Sequence, residues 1–303
     1  MEAGKLQGAS YLVAKDGKIV AHQSLGKLTY HNNSADLQLD SIRQVYSITK
    51  AFTSVAIARL VEEGKLYYKQ QVCTWIKEFD TDYHRDITLW HLLTHTSGLM
   101  PDPGCLQEPY PFPWYGWWVH EKRDKSDQWS ASEWIKLILG GRMAARPGEQ
   151  WNYCTAGYAI LGEVIARVSG MSYEQYIREY ITEPLGMEHT FMDVPKQLHS
   201  KVCYVNPWEE NGLKESAEHT EVRADVGNTA VDEMPPAAGN GLFSTLHDLW
   251  KFGQCLLDGG TFNGHTLLGR RTVENMVSNQ LSGVPSKCWG ITIRTIKCPW
   301  AGA

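Results

Sequence analysis

The apolar run Ala51-Phe52-Thr53-Ser54-Val55-Ala56-Ile57-Ala58-Arg59-Leu60-Val61 constrains this chain more than any other stretch. Read as a helix it is apolar nearly all round, which marks a helix buried on most sides. Glu62-Glu63-Gly64 supplies the stop, with glycine in its usual C-terminal place. Immediately before the run stands Val45-Tyr46-Ser47-Ile48-Thr49-Lys50. Three residues separate Ser47 from Lys50, so one helical turn puts both side chains on the same face. A serine hydroxyl is a poor nucleophile until a neighbouring base takes its proton, and a lysine desolvated at a helix start can be that base. A buried helix start is also a rigid platform, as such chemistry requires. The same spacing recurs at Ser24-Leu25-Gly26-Lys27, but the internal glycine and the strand-like run before it argue against a helix start there.

The 303 residues allow one large domain or two intimate lobes around that helix. A 43% apolar and 21% charged composition is that of a soluble globular protein, and a net charge of −5 gives no footprint for nucleic acid or an acidic membrane surface. Seven cysteines without a Cys-x-x-Cys pair fit reduced thiols better than a disulfide frame or a zinc site. With neither a basic-then-apolar leader nor a span long enough to cross a bilayer, a cytoplasmic protein with no membrane association is expected.

Ala9 to Ala14 and Lys18 to His22 alternate around Asp16-Gly17, which predicts a β-hairpin. Ile87 to Leu99 reads as a short helix closed by a glycine turn. Its His91 and His95 are one turn apart, but Leu92 stands where a zinc helix carries glutamate, so backbone hydrogen bonds are the expected role and no metal is expected. From Met100 to Trp134, prolines alternate with aromatics, including Trp114, Trp117 and Trp118. So many prolines exclude a regular helix, and the aromatics either pack down as a small satellite core or line a binding cleft. The favoured reading is a lid beside the active site that contacts substrate. After Pro147-Gly148, Trp151 to Thr155 is expected as an irregular loop, with a helix from about Ala159 to Val168 and another from Ser172 to Ile181. Gly239-Asn240-Gly241 lacks the third glycine of a dinucleotide fingerprint. Ser244 is expected to cap a helix over Leu246 to Leu257, and Trp289 to Ile296 alternates as a strand.

Several of these stretches agree with one family. Tyr46-Ser47-Ile48-Thr49-Lys50, Ile87 to Leu99, Pro147-Gly148 through Tyr153 to Gly162, Pro184-Leu185-Gly186-Met187 with Thr190 and Phe191, and Gly239 to Ser244 with Asp248 come in its order. Together they make the chain resemble the serine β-lactamase and penicillin-binding-protein superfamily, in its class C-like branch with the family VIII carboxylesterases. The resemblance implies an α/β (α+β) fold, an antiparallel sheet flanked by helices with an inserted, mostly helical lobe. Residues 1–66 and 236–303 would form the α/β lobe and 67–235 the helical one. It also implies the roles: Ser47 is the nucleophile, Lys50 assists its deprotonation, and Tyr153 is the general base and acid, acting with Lys50 as one coupled pair. No cofactor is implied.

Two departures qualify the match. The third residue of the family's Tyr-x-Asn motif is Thr155, a substrate-facing position where threonine lacks the amide donor, which argues mildly against an efficient β-lactamase. The family's Lys-Thr-Gly or His-x-Gly motif should follow the Trp289 strand, and the chain ends before it, so the sequence reads as a member shortened at its C-terminus. The expected function is a serine hydrolase of small-molecule carboxylic esters or amides. β-Lactamase, DD-peptidase or D-aminopeptidase activity is the alternative, and an inactive fragment or non-catalytic ligand-binding relative the third reading. Oligomeric state is not legible from these residues.

Overall fold

A computed structural model of the chain describes residues 6–102, 131–207, 209–211, 213, 236–281 and 283–284. Trp114, Trp117, Trp118 and the expected strand from Trp289 to Ile296 lie outside the described residues. The architecture is mixed α/β, with small sheets and helices in two compact units. One unit gathers the described residues of Met1–Arg59, Glu174–Ala230 and Asn240–Glu274; the other gathers those of Leu60–Tyr173, Val231–Gly239 and Asn275–Ala303.

In the first unit, β1 (Gly8–Lys15) and β2 (Lys18–Gly26) form the expected antiparallel hairpin. Asp16 and Gly17 both have positive φ, 51° and 72°, which is the twist a two-residue hairpin turn needs. Ser24 pairs with Ser10 across the strands, their hydroxyls 2.8 Å apart, so the second Ser-x-x-Lys match is strand and turn rather than helix. A three-stranded sheet follows, with β3 (Ile42–Gln44) in the middle, parallel to β4 (Val202–Cys203) and antiparallel to β5 (Phe243–Ser244). Ile42, Val194, Val202 and Leu213 pack beside it as a buried cluster, with Phe191 and Phe243 against them. Apolar side chains that meet across so short a sheet contribute more to holding it than its few ladder bonds.

From β3 the chain turns through Tyr46–Ile48 into α1 (Thr49–Glu62). Phe52, Val55, Ala56, Ile57 and Leu60 are fully buried, as the all-round apolar pattern requires. Phe52 stacks on Phe252 with ring centroids 3.9 Å apart.

Among its described residues the second unit carries the helices α2 (Leu89–Leu93), α3 (Ala131–Leu139) and α4 (Thr155–Ser169), joined by turns and irregular segments. Thr88 caps α2 through a reciprocal pair with His91, and Gly170 ends α4 in the left-handed conformation. α4 begins at Thr155, earlier than the expected Ala159. The first unit continues with α5 (Tyr173–Ile177), whose Tyr173 is the last residue of the second, and a wider π-turn over Arg178–Thr182. Later in the chain come α6 (Leu246–Leu257), the strand pair β6 (Thr261–Phe262) and β7 (His265–Thr266), and α7 (Arg270–Met276). The cap of α6 is Thr245, whose hydroxyl accepts from the Asp248 N–H; Ser244 instead sits in β5 with its hydroxyl 2.8 Å from that of Thr190. Among the described residues, no helix is long and apolar enough to cross a membrane.

Candidate active site

The start of α1 is tied down on both flanks. The Val45 N–H donates to the Leu242 carbonyl at 2.8 Å, and the Leu242 N–H donates to Thr49 Oγ1 at 3.1 Å. Thr49 is fully buried, so this return bond satisfies a hydroxyl that would otherwise be costly to enclose. Between those anchors Tyr46 holds a φ of 45°, a left-handed conformation unfavourable for an aromatic residue. Its hydroxyl donates to Glu209 Oε1 at 2.5 Å, and burial together with that carboxylate pushes the Tyr46 phenol well above its ordinary range. Glu209 in turn accepts the Val205 N–H at 2.8 Å and caps on Asn206 through its own N–H. The strained residue before Ser47 is therefore fastened at its tip.

Ser47 is exposed and Lys50 is buried, only 7% accessible. The Lys50 Nζ donates to Ser47 Oγ at 3.3 Å. An accessible hydroxyl above a buried amine is the arrangement that lets a substrate carbonyl reach Oγ while its proton has somewhere to go. The structure thus brings together two of the residues singled out from the sequence.

Tyr153 and Thr155 belong to the other unit, where the segment after His95 runs beside the segment before α4. The Asn152 N–H donates to the His95 carbonyl at 2.9 Å, Gly148 to Thr96 at 2.8 Å and Ala144 to Gly98 at 2.8 Å. Gly98 can accept this approach because it has a φ of 74° and no Cβ; a Cβ there would stand 2.0 Å from the Ala145 carbonyl oxygen. Asp102 accepts the Thr155 N–H on Oδ1 and the Thr155 hydroxyl on Oδ2, both at 2.7 Å. A carboxylate at the positive end of a 15-residue helix is favourable, and it places Thr155 inside the first turn rather than on a loop. The Thr155 hydroxyl donates to this carboxylate.

The two histidines accept backbone N–H groups, as expected: His91 Nδ1 that of Thr88 at 3.1 Å, and His95 Nδ1 that of Cys154 at 3.1 Å. Asp102 and Glu209 were not foreseen. Asp102 sits among prolines, and Glu209 lies far along the chain in a polar stretch; neither carries a motif, and only the register of distant segments brings them to Thr155 and Tyr46.

With this geometry in hand, comparison with known proteins decides the family. The family model described as Beta-lactamase matches residues 1–292. The chain belongs to the beta-lactamase family. Among curated relatives, Protein flp of Staphylococcus aureus (strain MW2) is 29% identical over 195 residues, covering 63% of this chain and 36% of that protein. Penicillin-binding protein 4* of Bacillus subtilis (strain 168) is 30% identical over 181 residues, covering 59% of this chain and 36% of that one. The chain therefore spans little more than a third of the length of the curated relatives it matches, 36% in both cases. The octameric penicillin-binding protein homologue from Pyrococcus abyssi superposes with a TM-score of 0.64 at 25% identity, over 97% of this chain and 62% of that one. The fold is that of β-lactamases and transpeptidases.

Proposed function

We propose that the chain is a serine hydrolase that cleaves carboxylic esters or small amides through an acyl-enzyme on Ser47. The observation that carries this reading is the exposed Ser47 hydroxyl accepting from the buried Lys50 Nζ at 3.3 Å, at the start of a helix whose core side chains are fully buried. Family membership supports it.

In the proposed reaction Ser47 Oγ bonds to the substrate carbonyl carbon as its proton leaves towards Lys50, and the carbonyl π pair moves to oxygen. Collapse of that tetrahedral species breaks the bond to the leaving alcohol or amine, which takes up a proton. Water then repeats the sequence on the acyl-enzyme and frees Ser47. The family resemblance gives Tyr153 the proton shuttling, in both directions, with Lys50. The substrate is a small molecule, and the chemistry asks for no metal or cofactor.

A second reading, acylation by β-lactams or D-amino-acid peptides, is favoured by one finding: a penicillin-binding protein is among the relatives. Thr155 weighs against it, because its hydroxyl donates to Asp102 Oδ2 and threonine has no amide to offer an acylamino group.

A fluorophosphonate probe should label the protein at Ser47, located by peptide mass, and Ser47→Ala should abolish both the label and p-nitrophenyl butyrate hydrolysis. Absence of labelling in the unmodified protein overturns the nucleophile assignment and leaves the non-catalytic relative as the reading. Hydrolysis of a chromogenic cephalosporin faster than of the ester reverses the order of substrate classes.

A further inference from the structure

The peptide unit that joins Tyr153 to Cys154 has both of its polar groups taken by side-on partners from one distant segment. Its carbonyl oxygen accepts the Asp102 N–H at 2.7 Å, and its N–H donates to His95 Nδ1 at 3.1 Å. His95 does more than accept that one bond. Its own carbonyl takes the N–H of Asn152, the residue before Tyr153, at 2.9 Å. Its imidazole lies against the Tyr153 ring, centroids 4.4 Å apart at 33°, and touches Tyr158 and Trp151 at 5.2 and 5.9 Å. One residue thus grips the position before Tyr153, the ring of Tyr153 and the position after it.

Two chemical details make this more than packing. A ring nitrogen that accepts a backbone N–H carries no proton of its own, so the bond selects the neutral ring with hydrogen on Nε2. His95 also has a φ of 59°, a left-handed backbone that glycine adopts freely and that asparagine, aspartate and histidine adopt more readily than other residues. Asparagine has its side-chain oxygen where histidine has Nδ1, so it can keep both the backbone and the acceptor while losing the ring.

We propose that His95 is a positioning residue for Tyr153, its side chain setting the tyrosine's backbone chiefly through the Nδ1 acceptor it offers the Cys154 N–H. The inference rests on the proton-shuttling role given to Tyr153 above. A small displacement of such a group costs rate and not affinity, because substrate binding does not depend on where the phenol points.

The test compares His95→Ala and His95→Asn in the whole chain with p-nitrophenyl butyrate as substrate. His95→Ala should lower kcat by about 10–100-fold with KM within about twofold, and should speed exchange of the Cys154 amide hydrogen. His95→Asn should recover most of the loss in both. Loss of kcat to the same extent in both variants, or a defect that appears only as a raised KM, overturns the proposal. So does an unchanged Cys154 exchange rate in His95→Ala, a reading that needs no turnover. If the unmodified protein neither hydrolyses the ester nor labels at Ser47, the hydrolase reading fails while the exchange comparison still decides whether His95 holds this peptide. Should His95→Ala not fold, His95→Phe keeps the ring without the acceptor and takes its place in every comparison.

Discussion

Tyr46 shows how a strained residue is kept next to Ser47, the nucleophile proposed above. A left-handed backbone costs an ordinary side chain about 1–2 kcal/mol, and a hydrogen bond to a charged group returns about 1.5–3 kcal/mol. The Tyr46–Glu209 bond at 2.5 Å is therefore of the right size to offset the φ of 45° beside Ser47. His91 carries a different load. Burial holds its imidazole below the ordinary 6.5, with the neighbouring Asp86 opposing in part. Below about pH 6.5 the unfolded chain takes up a proton that the folded one refuses, so stability present above that pH is lost as pH falls towards the folded value. His91→Gln keeps an acceptor for the Thr88 N–H at a position where glutamine is at home in a capping box, and it does not titrate. Its urea midpoint should fall less between about pH 7.5 and about pH 5 than that of the unmodified protein. Parallel falls would exclude His91 as a source of acid sensitivity.

At the level of elements, α4 and α6 predict opposite outcomes for the same substitution. A Cβ at Gly162 in α4 would stand 2.7 Å from Pro236 Cβ and 2.8 Å from Ala238 Cβ, so Gly162→Ala should destabilise by about 1–3 kcal/mol. A Cβ at Gly253 in α6 meets nothing within 4 Å, and Gly253→Ala should stabilise by about 0.5–1 kcal/mol. Urea unfolding of the two variants checks both signs, and a shared sign would contradict the contrast between a crowded Gly162 and an open Gly253. The helices themselves were legible because local pattern survives without tertiary help, α1 as an apolar run of helical length stopped at Gly64 and α6 as an apolar stripe at helical spacing. Their starts were less so. α4 begins at Thr155 because Asp102 supplies a cap from a distant loop, and α6 is capped by Thr245 because Ser244 already has Thr190 and a place in β5. β3, β4 and β5 went unread, since strands of two or three residues carry no period to detect. The Ser47–Lys50 pair was legible for the opposite reason: its geometry is local, Ser47 in the tight turn Tyr46–Ile48 and Lys50 three residues on in the first turn of α1.

Across the whole chain, the support for that pair is assembled from far apart. β3 needs β4, with Arg43 and Cys203 paired 160 residues apart, and the Leu242 bond to Thr49 spans 193. Closing such separations is slow compared with closing the hairpin β1–β2. Pulse-labelled hydrogen exchange during refolding should find the hairpin amides protected before those of Val45 and Leu242, and simultaneous protection would contradict this order. The same distances have a meaning on the ribosome. At about 5–20 residues per second, the 193 residues between Thr49 and Leu242 take roughly 10–40 s to synthesise. For that interval the nascent polypeptide carries Ser47 without the Leu242 anchors on Val45 and Thr49, so the shape of this turn is set only once Leu242 has been made.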